Sequence, residues 1–251
     1  MSRTPKKTIW LSFPGAAPGA TLRLFCFPYA GGGARIYRNW PRLLAPSVEV
    51  CAANLPGREG RLKERPFTQM DPLIEALAEN LGPFFDRPFA FFGHSMGAMI
   101  SFELARRLRR TGGPMPVHLF VSGRRAPQLP DPEPPTYDLP RDEFIDSLRR
   151  LNGTPHEVLQ NDELLQLVIP LLRADFELVQ TYDYREEVPL DCPITAFAGL
   201  DDVEVSRDEV RGWERQTTKG FSHLTVPGDH FFIHADQPIL FHRMLMDLAR
   251  V

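Results

Sequence analysis

A serine flanked by two glycines is the first feature of this sequence that could do chemistry. Residues 93–97 read Gly-His-Ser-Met-Gly, directly after the apolar run Phe89 to Phe92 and directly before a segment of helical period. A strand that turns sharply into a helix is the context in which G-x-S-x-G presents a nucleophilic serine. A side chain at position 93 or 97 would clash with neighbouring backbone, and the turn forces Ser95 into a strained conformation. The pattern therefore predicts that Ser95 is a nucleophile.

A base for Ser95 is expected near the end of the chain. His230 stands in Pro-Gly-Asp-His-Phe-Phe (227–232), a loop that follows the last strand-like run. The fold that G-x-S-x-G predicts has its triad in the order serine, acid, histidine. His94 is predicted to be a packing residue, because the residue beside the nucleophile points away from it. His234 would form a zinc pair with His230 only with a glutamate in an H-E-x-x-H arrangement and a third ligand, and neither accompanies it. No metal site is predicted.

The acid is expected where the run Ile194 to Ala198 ends, in the sequence Gly-Leu-Asp-Asp. A carboxylate there would lie at the carboxyl end of a strand, where open α/β sheets place catalytic groups. It would accept a hydrogen bond from the far ring nitrogen of His230 and stabilise the imidazolium. Asp202 is preferred to Asp201 on its spacing from the glycine, and the choice between the two stays open.

The oxyanion needs two backbone donors, one of which follows the nucleophile. The second is expected in the loop Phe-Pro-Tyr-Ala-Gly-Gly-Gly (27–33), whose glycines let backbone approach a reacting carbonyl. We assign the donors to the amides of Ala30 and Met96. A phosphate-binding role for the three glycines is disfavoured because no G-K-[ST] follows them.

The elements that must position these residues alternate along the chain. Six apolar, β-rich runs are typical of buried strands, and four segments between them have helical period. The runs are Leu22 to Phe27, Val48 to Ala53, Phe89 to Phe92, Val117 to Val121, Ile194 to Ala198 and Phe221 to Val226; the helical segments are Ile36 to Leu44, Asp71 to Leu81, Met96 to Arg110 and Ser206 to Arg215. This alternation predicts an α/β protein with a mostly parallel sheet and helices on both faces, the α/β-hydrolase fold.

Residues 1–251 are predicted to form a single domain with an inserted helical lid at 124–189. The insertion opens with six prolines between positions 127 and 140 and continues in amphipathic stretches. Its apolar residues, among them Phe144, Leu148 and Leu172, are too numerous for helices that face only solvent. We expect them to cover the top of the sheet.

Composition excludes several classes of function. The 29 basic and 32 acidic residues give a net charge of -3, which provides no basic field for nucleic acid or an anionic membrane. No run approaches the roughly 18 apolar residues of a membrane span. Cys26, Cys51 and Cys192 are widely separated and lie in or beside apolar runs, so we expect buried reduced thiols in a cytoplasmic protein.

The chain resembles a known family, the type II thioesterases that accompany polyketide synthases and nonribosomal peptide synthetases. The motifs that carry the resemblance follow one another through nearly the whole chain. They are Phe-Pro-Tyr-Ala-Gly-Gly (27–32), Leu-Pro-Gly-Arg (55–58), Phe-Gly-His-Ser-Met-Gly (92–97), Leu-Asn-Gly-Thr-Pro (151–155), Leu-Arg-Ala-Asp-Phe (172–176) in a helix that runs to Tyr182, and Gly-Asp-His-Phe (228–231).

The resemblance implies hydrolysis of wrong or stalled acyl groups from the phosphopantetheine arm of acyl or peptidyl carrier proteins. It implies no cofactor beyond the phosphopantetheine that the substrate carries, and a monomer is expected. The family often has proline where Val203 follows the two aspartates, which weakens the choice between them. Because carrier proteins are typically acidic, a basic docking surface is expected. Its candidates are Arg58, Arg61, Lys63, Arg65, Arg35, Arg38 and Arg42.

Two other functions stay open from the residues alone. A carboxylesterase or lipase could use the same scaffold on an oxygen ester, and a catalytically inactive hydrolase could serve as a binding module. Thioester chemistry agrees with the predicted residues, because a thiol leaving group with a pKa near ~8.5 departs without strong protonation.

Overall fold

The sheet at the centre of the molecule has seven strands. The computed structural model describes residues 8–15, 17–44, 46–151, 153–154, 156–235 and 238–250, so Asn152 and Pro155 of the resemblance lie outside the described residues. The strands are β1 (Leu11–Ser12), β2 (Leu22–Phe27), β3 (Val48–Ala53), β4 (Phe89–His94), β5 (His118–Ser122), β6 (Ile194–Gly199) and β7 (Phe221–Val226). Their order is β1-β3-β2-β4-β5-β6-β7, with only β1 antiparallel to its neighbour among these pairs.

Alternate side chains of the strands build a core on each face of the sheet. Phe25, Phe27, Phe89 and Phe91 pack in one core, whereas Cys26 packs in the other. Because successive side chains of a strand point to opposite faces, strands buried on both sides read as continuous apolar runs. The predicted fold class, a mostly parallel α/β sheet, is therefore confirmed.

Seven α-helices accompany the sheet within the described ranges. They are α1 (Met70–Leu81), α2 (Met96–Arg110), α3 (Arg141–Leu151), α4 (His156–Leu159), α5 (Asp162–Gln180), α6 (Arg207–Arg211) and α7 (Pro238–Leu248). Short 3-10 turns cover Ala34–Tyr37, Trp40–Arg42, Glu59–Arg61, Gly82–Phe84, Gly212–Gln216 and Phe232–His234.

The helix expected over 36–44 is wrong. Two 3-10 turns occupy this segment, and Pro41 lies within the first positions of the second turn. Proline has no backbone N–H and its ring clashes with the carbonyl four residues earlier, so it destabilises an α-helix that would run through it. The apolar residues that suggested a helix include Tyr37 and Trp40, which lie in the core. Their rings pack edge to face, with the ring centroids 4.9 Å apart.

Helices α3, α4 and α5 lie between β5 and β6, within the segment expected as a lid. They share a small apolar cluster of their own, which includes Phe144, Leu148 and Leu165. Leu178, near the end of α5, packs instead in the main core. In the part of the chain described above, no helix combines the length and apolar character that a bilayer span needs.

Candidate active site

Ser95 lies in a strained turn between β4 and α2. Its backbone has φ 52° and ψ −113°, a conformation that residues other than glycine rarely adopt. Its amide donates a hydrogen bond to the carbonyl of Ser122 at 2.8 Å. Steric crowding explains both glycines of the motif. A Cβ atom at Gly93 would stand 2.0 Å from the carbonyl oxygen of Gly97, and one at Gly97 would stand 2.0 Å from that of Phe27. Only glycine therefore allows strand, turn and loop to approach this closely.

His230 and Asp202 form a hydrogen-bonded pair on neighbouring loops. Nδ1 of His230 lies 2.9 Å from Oδ2 of Asp202, whose side chain is 1% exposed. The other carboxylate oxygen accepts from the backbone amides of Glu204 at 2.9 Å and Val205 at 3.1 Å. These amides hold the carboxylate against the imidazole. Asp201 is exposed, so the geometry favours Asp202 of the two candidates.

Ser95, His230 and Asp202 all line one cavity of about 450 Å³. The remainder of its wall includes Leu148, on α3, and Phe176, on α5, so the inserted helices enclose the space above Ser95. No hydrogen bond joins Ser95 to His230 among the residues that the structure describes. Such bonds often form fully only with substrate in place.

His94 is buried behind His230, with their ring centroids 5.3 Å apart. Its Nδ1 shares a hydrogen bond of 2.9 Å with Oγ of Ser122. Burial lowers the pKa of His94 well below its usual value, and the nearby His230 lowers this pKa further. His94 is therefore a neutral packing residue at neutral pH, as its position beside the nucleophile predicts.

His234 is hydrogen-bonded to Tyr29. Its Nε2 shares a hydrogen bond of 2.7 Å with the Tyr29 hydroxyl, and burial raises the pKa of that phenol to about 12. Among the described residues, no group of three or more histidine, cysteine or acidic side chains is arranged to hold a metal ion.

Ala30 and Met96 lie beside Ser95 in the cavity wall. Met96 is the first residue of α2, so its amide has no acceptor within the helix and lies at the positive end of the helix dipole. Ala30 begins the glycine-rich turn after β2, where Gly31 has a φ of +77° that favours glycine. This arrangement can offer two backbone donors to a negatively charged oxygen bound near Ser95.

A buried ion pair that the sequence did not reveal adjoins this turn. Arg58 and Asp175 meet through two hydrogen bonds, of 2.9 Å and 2.7 Å, and their side chains are 5% and 2% exposed. Asp175 also lines the cavity. The two residues lie 117 positions apart, so only their place in two motifs of the resemblance signalled them.

The expectation that Arg58 and Arg61 form a docking surface is therefore wrong. Arg58 is buried in its ion pair with Asp175. Arg61 is also buried, and its guanidinium contacts Glu64 and the Trp10 ring. The other candidates are exposed, and the structure gives none of them an ion pair with a described residue. They are Arg35, Arg38, Arg42, Lys63 and Arg65.

Comparisons with known proteins find extensive similarity. A family model described as "Thioesterase domain" matches residues 22–246. The chain is 45% identical over 242 residues to the gramicidin S biosynthesis protein GrsT of Aneurinibacillus migulanus, covering 96% of this chain and 94% of that protein.

Two solved structures superpose closely on this one. The RedJ thioesterase of the prodiginine pathway in Streptomyces coelicolor has a TM-score of 0.87 at 37% identity, with 98% of this chain and 96% of that chain covered. The type II thioesterase BorB of the borrelidin cluster has a TM-score of 0.84 at 35% identity, with 98% and 99% covered.

Proposed function

The chain belongs to the thioesterase family, as a type II thioesterase of polyketide and nonribosomal peptide pathways, and we propose that it hydrolyses thioesters through an acyl-enzyme on Ser95. The observation that carries this proposal is the 2.9 Å hydrogen bond between His230 and Asp202 at the cavity that Ser95 lines. A carboxylate on Nδ1 leaves Nε2 free to accept a proton, which is the state a general base requires.

In the first half-reaction, Nε2 of His230 takes the hydroxyl proton as Oγ of Ser95 attacks the thioester carbonyl carbon. The carbonyl oxygen gains the negative charge and accepts hydrogen bonds from the amides of Ala30 and Met96. Asp202 stabilises the imidazolium that forms. The carbon–sulfur bond then breaks, and the sulfur leaves as a thiolate that accepts the proton from His230.

In the second half-reaction, a water molecule replaces the thiol. His230 takes one proton from this water, the hydroxide adds to the acyl carbon, and the same two amides stabilise the oxyanion. The bond to Oγ breaks, His230 returns the proton to Ser95, and the free acid leaves. Serine, histidine, aspartate and two amides suffice for both half-reactions, and we propose no cofactor beyond the phosphopantetheine of the substrate.

We propose that the substrates are wrong or stalled acyl groups on the phosphopantetheine arm of acyl or peptidyl carrier proteins. The names of the relatives support this choice, since GrsT is named for gramicidin S biosynthesis and BorB is a type II thioesterase of the borrelidin biosynthetic cluster. We propose that the docking surface for an acidic carrier consists of the five exposed basic residues, Arg35, Arg38, Arg42, Lys63 and Arg65. The amide of Arg35 donates to Oε1 of Glu59 at 3.0 Å, which ties the segment that holds Arg38 to the turn before Lys63.

The test is the rate of acyl release from an acylated phosphopantetheinyl carrier protein, for the natural chain and for Ser95→Ala. The matching N-acetylcysteamine thioester and oxygen ester are measured beside it. We expect rapid release from the carrier, abolished by Ser95→Ala. Faster turnover of the oxygen ester with no release from the carrier would instead support an esterase, and undiminished activity of Ser95→Ala would rule out the proposed nucleophile.

The docking surface has a separate test. Arg38→Glu should raise KM for the carrier-bound substrate and weaken its salt dependence, because a rim charge acts mainly on encounter. KM for the N-acetylcysteamine thioester should not change. An equal effect on both substrates would contradict docking at Arg38.

A further inference from the structure

The Arg58–Asp175 pair is joined to the turn that carries Ala30. Oδ2 of Asp175 accepts from the Gly31 amide at 2.7 Å, and the same oxygen accepts from Nη1 of Arg58. Nη1 also donates to the Gly32 carbonyl at 2.9 Å. The pair therefore binds the turn at two successive residues, one through its N–H and the other through its carbonyl.

This turn needs an external support. Residues 31–33 are all glycine, and glycine loses more conformational freedom on folding than any other residue. An oxyanion donor works only if it is held within hydrogen-bond distance of the developing charge before reaction, and a misplacement of about 1 Å costs about 10²-fold in rate. A flexible glycine turn cannot supply this precision alone.

Stability alone does not account for the pair. Both charges are removed from water, and a buried ion pair is often no more stable than apolar residues of the same volume. What a bidentate pair adds is orientation, because the planar guanidinium and carboxylate fix each other in angle as well as in distance.

We infer that Asp175 and Arg58 are positioning residues that hold the Ala30 amide in place for the oxyanion. This inference rests on the proposed function. Asp175 belongs to α5, so the inserted helices supply part of the support for the reaction centre in addition to enclosing the acyl group. Leu172, one turn earlier on α5, closes against Gly31 from the same side.

The experiment is a double-mutant cycle with Arg58→Met, Asp175→Leu and the two combined, assayed on an N-acetylcysteamine thioester. Each single change should lower kcat about 10²-fold with KM changed less than about threefold, because the donor serves the transition state. Each should also lower the melting temperature, since one charge stays buried without its partner. The double variant should regain melting temperature but not kcat.

Asp175→Asn tests the link to Gly31 directly. It keeps an oxygen for the Gly31 amide, but its NH2 group replaces the oxygen that accepts from Nη2 of Arg58, so it should recover part of the kcat lost in Asp175→Leu. The rate at which a fluorophosphonate modifies Ser95 should fall in parallel with kcat, because its phosphoryl oxygen uses the same donors.

Arg106→Met is the matched control. Arg106 pairs with Glu103 at 2.6 Å, their side chains are 3% and 8% exposed, and neither lines the cavity. This variant should lose melting temperature with an unchanged kcat. Recovery of kcat in the double variant, or a rise in KM alone, would overturn the positioning role. Inactivity of the natural chain, or full activity of Ser95→Ala, would refute the proposed function instead.

Discussion

Asp202→Asn isolates the part of the proposed mechanism that depends on a single proton. The two oxygens of Asp202 have different partners: one accepts from the amides of Glu204 and Val205, and the other faces Nδ1 of His230. An asparagine must keep its oxygen on the two backbone amides, because its NH2 group cannot accept from them. Its NH2 group is then forced to face the imidazole.

This orientation reverses the tautomer of His230. With a donor opposite it, Nδ1 becomes the acceptor and the ring proton moves to Nε2, so Nε2 can no longer take the proton of Ser95. The corresponding change in other serine-histidine-aspartate triads lowers kcat about 10⁴-fold, which corresponds to about 5.4 kcal/mol of transition-state stabilisation. We expect the same magnitude here.

The assay is kcat on an N-acetylcysteamine thioester, with the free energy of unfolding measured by urea. Unfolding free energy should change by about 1 kcal/mol or less, since the asparagine retains its backbone hydrogen bonds. Asp201→Asn is the matched control and should leave kcat within a few-fold of the natural value. If Asp202→Asn retains a tenth of the activity, or if Asp201→Asn is the more damaging change, this account of the acid is refuted.

Three further predictions follow from packing and burial. Gly97→Ala places a Cβ atom 2.0 Å from the Phe27 carbonyl oxygen and should lower the free energy of unfolding by about 3 kcal/mol or abolish folding. Gly82→Ala is the control and should change the free energy of unfolding little, because the space around Gly82 is open. Similar melting temperatures for the two variants would contradict the crowding at Gly97. Because burial lowers the pKa values of His94 and His118 in the folded state, the unfolded chain binds more protons below about pH 6.5, so stability is present above that pH and is lost as pH falls. His118→Gln should reduce this loss of stability when the free energy of unfolding is measured by urea titration between pH 7.5 and 5.5. If the free energy of unfolding falls with pH as steeply as in the natural chain, other groups cause the loss. The three cysteines are buried, and burial raises their pKa values, so a thiol reagent should titrate none of them in the native protein and all three in denaturant; rapid native labelling would refute this.

The parts of the fold that the sequence predicts correctly are those whose signal is local. The turn at Ser95 could be predicted because a strand, two glycines and a helix follow one another within a few residues. The strands β2, β3 and β7 have the predicted bounds, since polar residues, glycine or proline precede and follow each run. Helix α2 also begins and ends at the predicted residues.

Contacts between residues far apart along the chain could not be predicted. Arg58 is followed by other basic residues, and this local charge suggested an exposed surface. Its burial depends on Asp175, which folding brings beside it from the inserted segment. No periodicity or spacing encodes such a pairing. The helix expected over 36–44 failed for the opposite reason, because one local residue, Pro41, outweighs the apolar pattern around it.

Helix α5 contains Pro170 at its middle, and this residue divides the inserted segment into two parts. Before Pro170, Leu165 packs in the apolar cluster that the inserted helices share. After it, Asp175 accepts a hydrogen bond from the Gly31 amide and Leu178 packs in the main core. Residues 141–169 supply Leu148, Arg150 and Thr154 to the cavity wall. We therefore expect substitutions within residues 141–169 to change the shape of the acyl chamber, and with it the choice of acyl group, while Asp175 continues to support the turn beside Ser95.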